Sequence, residues 1–190
     1  MREFEAHFLD INVAEIESKL LAIGAKKVGE FDLQEIILDT KDRTWNKIHK
    51  LIRLRTDGKK STIAYKEEIK ANTMGGREEI EFGIQNMQNM KLILEKIGMI
   101  AVREQEKKRV TYKLKDVYFD IDFWPKVPPY IEIESDNEEK VREAAKLLGF
   151  DWKDACLMDA KRILIEIYGL KNFDQVKYFT FDKFEYHEQQ

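Results

Sequence analysis

Segment after segment of this chain alternates an apolar side chain with a charged or polar one. An extended strand turns successive side chains to opposite faces, so each such segment has one apolar face and one charged face. Glu3, Glu5 and His7 share a face, with Phe4, Ala6 and Phe8 on the other. Arg53 and Arg55 lie opposite Ile52 and Leu54, and Thr62, Ala64 and Lys66 opposite Ile63 and Tyr65. Arg77, Glu79 and Glu81 lie opposite Ile80 and Phe82, and Glu132 and Glu134 opposite Ile131 and Ile133. Lys107 aligns with Arg109, and Asp120 with Asp122. The pattern predicts strands over 2–9, 26–39, 50–56, 61–68, 77–84, 100–105, 107–115, 117–123 and 130–135. Short turns such as Thr56-Asp57-Gly58 and Lys115-Asp116 join several of them, which makes the sheet antiparallel.

Three stretches have helical spacing instead: 13–23, 88–97 and 138–148, each closed by a glycine (Gly24, Gly98, Gly149). Asn12 is placed to cap the first, and Ser135 or Asp136 the third. Helices with one apolar stripe cover the apolar side of a sheet, which gives an α+β fold. The aromatic stretch 170–190 reads as a C-terminal appendage docked on a domain spanning 1–169.

The composition limits the function. Lys plus Arg number 33 and Asp plus Glu 36, a net charge of −3, so a general nucleic-acid binder is not expected. One cysteine, Cys156, excludes an intrachain disulfide and suits a reducing, cytoplasmic compartment. No apolar run is long enough to cross a bilayer, and no membrane association is expected.

Two readings of the charged faces stay open on pattern alone. A solvated sheet surface would look like this. So would a polar lumen, if helices cover the apolar faces from outside. Single-signed strands, Arg53/Arg55 against Glu132/Glu134, favour the lumen. A lumen with both signs suits a metal–polyphosphate complex: guanidiniums take phosphate oxygens and carboxylates take a hard divalent ion.

The ordered motifs resemble the CYTH superfamily of class IV adenylyl cyclases and triphosphate tunnel metalloenzymes. The match runs from Glu3-x-Glu5-x-His7 through Asp39-Thr40, Leu51-x-Arg53-Leu54-Arg55, Tyr65-Lys66 and Arg77-Glu78-Glu79-x-Glu81. It continues through Lys107-x-Arg109 and Asp120 to Glu132-x-Glu134, covering roughly residues 1–168. The resemblance implies an eight-stranded antiparallel β-barrel, a triphosphate tunnel, with helices packed outside. It implies Mg or Mn near Glu3, Glu5, Asp120, Glu132 and Glu134, and it selects Asp120 over Asp122. It places Arg53, Arg55, Lys66 and Arg109 on the triphosphate, with Lys107, Arg77, Lys161 and His7 as further substrate contacts. The catalytic set so implied is Glu3, Glu5, Arg53, Arg55, Lys66, Arg109 and Glu134. The sequence departs from the family motif at His7, where a lysine is usual.

The segments Asp122-Phe123-Trp124-Pro125 and Pro129-Tyr130-Ile131-Glu132-Ile133-Glu134 are similar to bacterial proteins labelled class IV adenylyl cyclase. The resemblance therefore implies conversion of ATP to cyclic AMP and pyrophosphate. Hydrolysis of an inorganic or organic triphosphate, or binding of nucleotide or polyphosphate without turnover, are the alternatives. A homodimer is compatible with the family.

Overall fold

The computed structural model describes residues 2–188, with side chains from Phe4 onward. Its scaffold is an antiparallel sheet that closes on itself. The strands are β1 (Arg2–Phe8), β2 (Lys26–Thr40), β3 (Lys50–Thr56), β4 (Ser61–Glu68), β5 (Arg77–Ile84), β6 (Met99–Leu114), β7 (Val117–Phe123) and β8 (Tyr130–Ser135). They are hydrogen-bonded in the order β6-β2-β3-β4-β5-β1-β8-β7, and pairing of β6 with β7 completes the ring. This is the eight-stranded antiparallel barrel that the resemblance implies. The narrowest seam is at β1, which pairs with β5 through Arg2↔Glu78 and Glu3↔Arg77. Farther along, the edge of β1 at His7 is taken by Cys156 through two reciprocal backbone hydrogen bonds of 2.9 Å.

Helices α1 (Val13–Ala22), the one-turn α2 (Thr44–Lys47), α3 (Met87–Lys96) and α4 (Glu138–Leu147) complete the shell, with a single turn, α5 (Ala160–Arg162), after them. Ile16 and Leu20 of α1 and Val141, Ala144 and Ala145 of α4 bury against Ala6, Phe8, Phe119, Ile121, Ile131 and Ile133, the outward residues of β1, β7 and β8. Leu94 of α3 does the same for Ile36, Leu38, Leu54 and Ile63. Each large apolar side chain so buried contributes roughly 1.5–3 kcal/mol. With most of the apolar faces covered from outside, though Ile80 and Phe82 of β5 stay exposed, the charged faces are left to line the barrel. Asn12 caps α1, accepting from the Glu15 amide. The cap of α4 is Asn137, accepting from the Lys140 amide, and not Ser135 or Asp136. Ser135 is still the last residue of β8, and Asp136 is bonded instead to Ser135, Asn137 and Lys140.

One strand differs from the sequence expectation. The segments 100–105 and 107–115 are a single strand, β6, which pairs along its length with β2. Beyond α5 the chain returns to β6. β9 (Val176–Phe179) lies parallel to it through Glu104↔Tyr178 and Gln105↔Phe179, and β10 (Phe184–Tyr186) pairs with β9. Phe173, Val176 and Phe179 are buried with Trp124, Tyr130, Ile163 and Leu164. Trp124 and Tyr130 share the inner faces of Asp122 and Glu132, so the barrel lining changes from charged to aromatic at this end.

Candidate functional site

Period-two geometry sets the lining. Cross-strand partners point to the same side of a sheet, and the register carries the charged faces round the ring: Glu5↔Glu134, His7↔Glu132↔Asp120, Arg109↔Asp122, Glu35↔Arg55↔Thr62 and Lys66↔Glu79. β6 alone supplies Arg103, Gln105, Lys107, Arg109 and Thr111 to this face.

The lining is knit by ion pairs. Arg109 is the centre of one group. Its Nε and Nη2 donate to Asp122 at 2.6 and 2.7 Å, Nη1 donates to Asp120, and Nη2 also reaches Glu132 at 3.2 Å. Lys107 donates to Asp122 at 2.6 Å and lies over the Trp124 ring. Thr111 donates to Asp120 at 2.5 Å. A second group lies across the barrel. Arg55 donates to Glu35 at 2.7 Å, Gln105 donates to the other oxygen of Glu35 at 2.6 Å, and Arg103 donates to Gln105 at 2.7 Å. Arg53 donates to Glu79 at 3.1 Å and Glu81 at 2.9 Å, and Lys66 pairs with Glu79. Arg77 pairs with Glu5 and donates to the Leu157 carbonyl at 3.2 Å.

These charges are held out of water, and their proton affinities follow. Burial opposes ionisation of Glu35 and Glu132, but neighbouring cations prevail. Arg55, Arg53 and Lys107 hold Glu35, and Arg109 and His7 hold Glu132, well below the usual carboxylate range. Glu134 is pushed up to about 7 by burial and by the adjacent Glu132. Asp120 is also raised, by burial that outweighs Arg109. Burial, with Arg109 nearby, lowers Lys107 to about 8, and burial lowers Arg103 to about 10. Arg109 is raised well above its ordinary value, because Asp122, Glu132 and Asp120 outweigh its burial.

Three buried polar atoms among the described residues have no hydrogen-bond partner: Arg53 Nε, Thr62 Oγ1 and Arg77 Nε. A buried donor without an acceptor is costly. Glu5, His7 and Glu132 each bring one ligand-type atom to a common point, all within 4.8 Å of one another.

The structure thus brings Glu5, His7, Arg53, Arg55, Lys66, Arg77, Lys107, Arg109, Asp120, Glu132 and Glu134 onto one enclosed face. The Glu3 side chain lies outside the described residues. Lys161 stands at the aromatic end, bonded to Asn46 at 2.6 Å and Asp174 at 2.5 Å. Asp122, Glu35, Arg103 and Gln105 also belong to the lining and were not singled out by sequence. Asp122 is fully buried and holds two cations, whereas the resemblance selects its neighbour Asp120. The signal for Arg103 and Gln105 was the unbroken period of two from Arg103 to Thr111, visible once β6 is read as one strand.

Comparison with known proteins agrees with this geometry. The model of the CYTH domain matches residues 1–154. A solved structure from Pyrococcus horikoshii OT3 is 25% identical, with a TM-score of 0.69, over 83% of this chain and 96% of that one. A protein from Vibrio parahaemolyticus described as a candidate adenylate cyclase shares the fold at 16% identity and a TM-score of 0.75, over 86% of this chain and 98% of that one. A Hippeastrum protein described as a candidate adenylyl cyclase with a dominant triphosphatase activity does so at 15% identity and a TM-score of 0.61, over 89% and 96%. None of the curated proteins matches. A closed antiparallel barrel lined by paired arginines and carboxylates, with a family match over most of its length, leaves one assignment: the chain belongs to the CYTH domain family.

Proposed function

We propose that this chain is a metal-dependent enzyme that hydrolyses a triphosphate-bearing small molecule inside the barrel. The observation that carries the reading is the convergence of Arg53, Arg55, Lys66, Lys107 and Arg109 from three strands, β3, β4 and β6, onto one enclosed face. Arg53 Nε, Arg77 Nε and Thr62 Oγ1 are unsatisfied there. Phosphate oxygens are acceptors and fill that need. Phosphoryl transfer asks little covalent chemistry of a protein and much positioning and charge stabilisation.

In this reading Arg53, Arg55, Lys66, Arg77, Lys107 and Arg109 bind the triphosphate oxygens. Glu5, Asp120, Glu132 and Glu134 would hold a divalent ion, Mg or Mn; of these, Glu5 and Glu132 bring ligand atoms within 4.8 Å of each other and of His7, and Glu134, beside Glu132 on β8, lacks a charge strong enough to offset its burial. A bound ion would neutralise phosphate oxygens as charge moves onto the leaving group. Arg109, anchored by Asp120 and Asp122, fixes the phosphate against this acidic side, and Arg53 and Arg55 hold it from the opposite wall.

Cyclisation of ATP is the second reading, favoured by the local likeness of residues 122–134 to proteins labelled adenylyl cyclase. It needs a slot for a purine. At the aromatic end the inner rings, Trp124 and Tyr130, are buried and hydrogen-bonded to one another at 2.7 Å, while Phe31 and Tyr118, on the same face farther along, are not fully buried. The absence of a purine slot among the described residues of the aromatic end is what favours water over a ribose hydroxyl as the nucleophile. The test is turnover of tripolyphosphate and of ATP, each with Mg²⁺ and with Mn²⁺. Phosphate release is the expected result. Cyclic AMP with pyrophosphate would select the cyclase, and binding without any product would leave a non-catalytic binder.

A further inference from the structure

We propose that Glu5, His7 and Glu132 form a mixed nitrogen–oxygen site that makes this barrel prefer Mn²⁺ and Zn²⁺ over Mg²⁺. The proposal rests on the reading above that the acidic wall holds a divalent ion, and it names the residue that selects which one.

His7 is 1% exposed and lies between two acceptors. Its Nδ1 is 3.3 Å from the Cys156 carbonyl oxygen, and its Nε2 is 3.1 Å from Glu132 Oε2. A carbonyl oxygen can only accept, so Nδ1 carries a proton. Nε2 is turned toward the carboxylates of Glu132 and Glu5, and an ion bound there takes the place of the proton that Nε2 shares with Glu132. A hydrogen bond from one ring nitrogen to a backbone carbonyl is the usual support for a ligating histidine, because it fixes both tautomer and ring plane. Here that support is rigid, since the Cys156 backbone is itself pinned to His7 by two hydrogen bonds of 2.9 Å. The Tyr130 ring, edge-on at 5.5 Å between centroids, fills the space beside the imidazole.

The size of the cluster suits an ion. Metal–ligand bonds of about 2.0–2.2 Å place donor atoms about 3–4 Å apart. The donor atoms of Glu5, His7 and Glu132 all lie within 4.8 Å of one another. The partners that would remain are placed to do so. Arg109 approaches Glu132 through Oε1, the oxygen that His7 does not use, and Arg77 pairs with Glu5 from the side of the Leu157 carbonyl.

Chemistry then decides the preference. Mg²⁺ takes oxygen ligands in a strict octahedron. Imidazole nitrogen suits first-row transition ions, and affinity rises from Mn²⁺ toward Zn²⁺. A lysine at this position offers only a cation, which competes with a metal for the same carboxylates.

The test uses the full-length chain stripped of metal, without triphosphate. Titration with Zn²⁺, Mn²⁺ and Mg²⁺ is followed by calorimetry, and histidine ring nitrogens are followed by NMR. Zn²⁺ is expected to shift Nε2 of His7 alone. His49, which is exposed, and His187, whose Nε2 lies 2.7 Å from the Val102 carbonyl oxygen, serve as internal references. Mn²⁺ and Zn²⁺ are expected to bind at least roughly tenfold more tightly than Mg²⁺. His7→Lys is expected to abolish that preference. Stoichiometric Zn²⁺ binding with the His7 ring signals unmoved would overturn the proposal, and it needs no variant that folds. An unchanged preference in folded His7→Lys would overturn it equally. Zn²⁺ on His7 in a protein that ignores tripolyphosphate would support this site and remove the triphosphate reading.

Discussion

Asp122 grips Arg109 with both carboxylate oxygens, Oδ1 to Nε at 2.6 Å and Oδ2 to Nη2 at 2.7 Å, and shares Oδ2 with Lys107. One fully buried carboxylate therefore offsets two buried cations. Removing one partner of a buried ion pair strands the other, at about 3–5 kcal/mol. Asp122→Asn keeps the shape and removes the charge. It is expected to destabilise the protein by about that amount in urea unfolding. Stability within about 1 kcal/mol of the parent would mean that Asp120 and Glu132 suffice for Arg109.

The second wall makes a prediction of opposite signs. Arg53 is bonded to Glu81, which is half exposed at the rim of the described lining. Arg53→Lys loses the forked donor geometry, and tripolyphosphate affinity should fall severalfold. Glu81→Gln removes a carboxylate that competes with phosphate for Arg53, and affinity should rise severalfold. General damage to the barrel cannot raise affinity, so a loss in both variants would count against Arg53 as an anion ligand.

Lys107 gives a pH signature. Burial lowers it to about 8, with Arg109 and Arg55 beside it acting in the same direction and Asp122 and Glu35 opposing. An anion binds the charged form, so binding draws in a proton once the pH passes about 8. Tripolyphosphate affinity should therefore fall through that range, by up to tenfold per pH unit. The stability contribution has the opposite trend. The folded protein prefers neutral Lys107, so this residue's term rises between pH 8 and the ordinary lysine range. Subtracting the profile of Lys107→Met from that of the parent cancels the ligand's own ionisation. A flat difference in affinity would assign the lysine no contact with phosphate.

The tail is anchored through Phe173, which is buried, stacks under Arg103 and accepts from it through its carbonyl at 3.3 Å. Phe173→Ala is expected to cost about 3–5 kcal/mol. Hydrogen exchange should quicken at β9 before it does at β3 or β4. Uniform loss of protection would mean that the tail and the barrel unfold as one unit.

The barrel was legible where both faces of a strand carried their own signal. β8 is the clear case: Ile131 and Ile133 meet α4 while Glu132 and Glu134 face inward. The middle of β6 hid its continuity because neither face there is apolar. Glu104, Glu106 and Lys108 point outward, where β9 and the Phe181 amide meet them in place of an apolar helix face. The run from Arg103 to Arg109 thus offers charge on both sides. Glu35 was obscured differently, by Ile36, Ile37 and Leu38 directly after it, which break the alternation. Choosing between Asp120 and Asp122 needed depth along the barrel, which spacing on one strand does not encode.

Arg55 and Arg109 are already paired with carboxylates of the lining, and this makes entry of a ligand an exchange. A polyanion that captures Arg55 or Arg109 must evict Glu35 or Asp120, and each evicted carboxylate then calls for a new positive neighbour. A divalent ion that arrives meets the converse demand. Polyanion and ion should therefore assist each other by equal factors in either order.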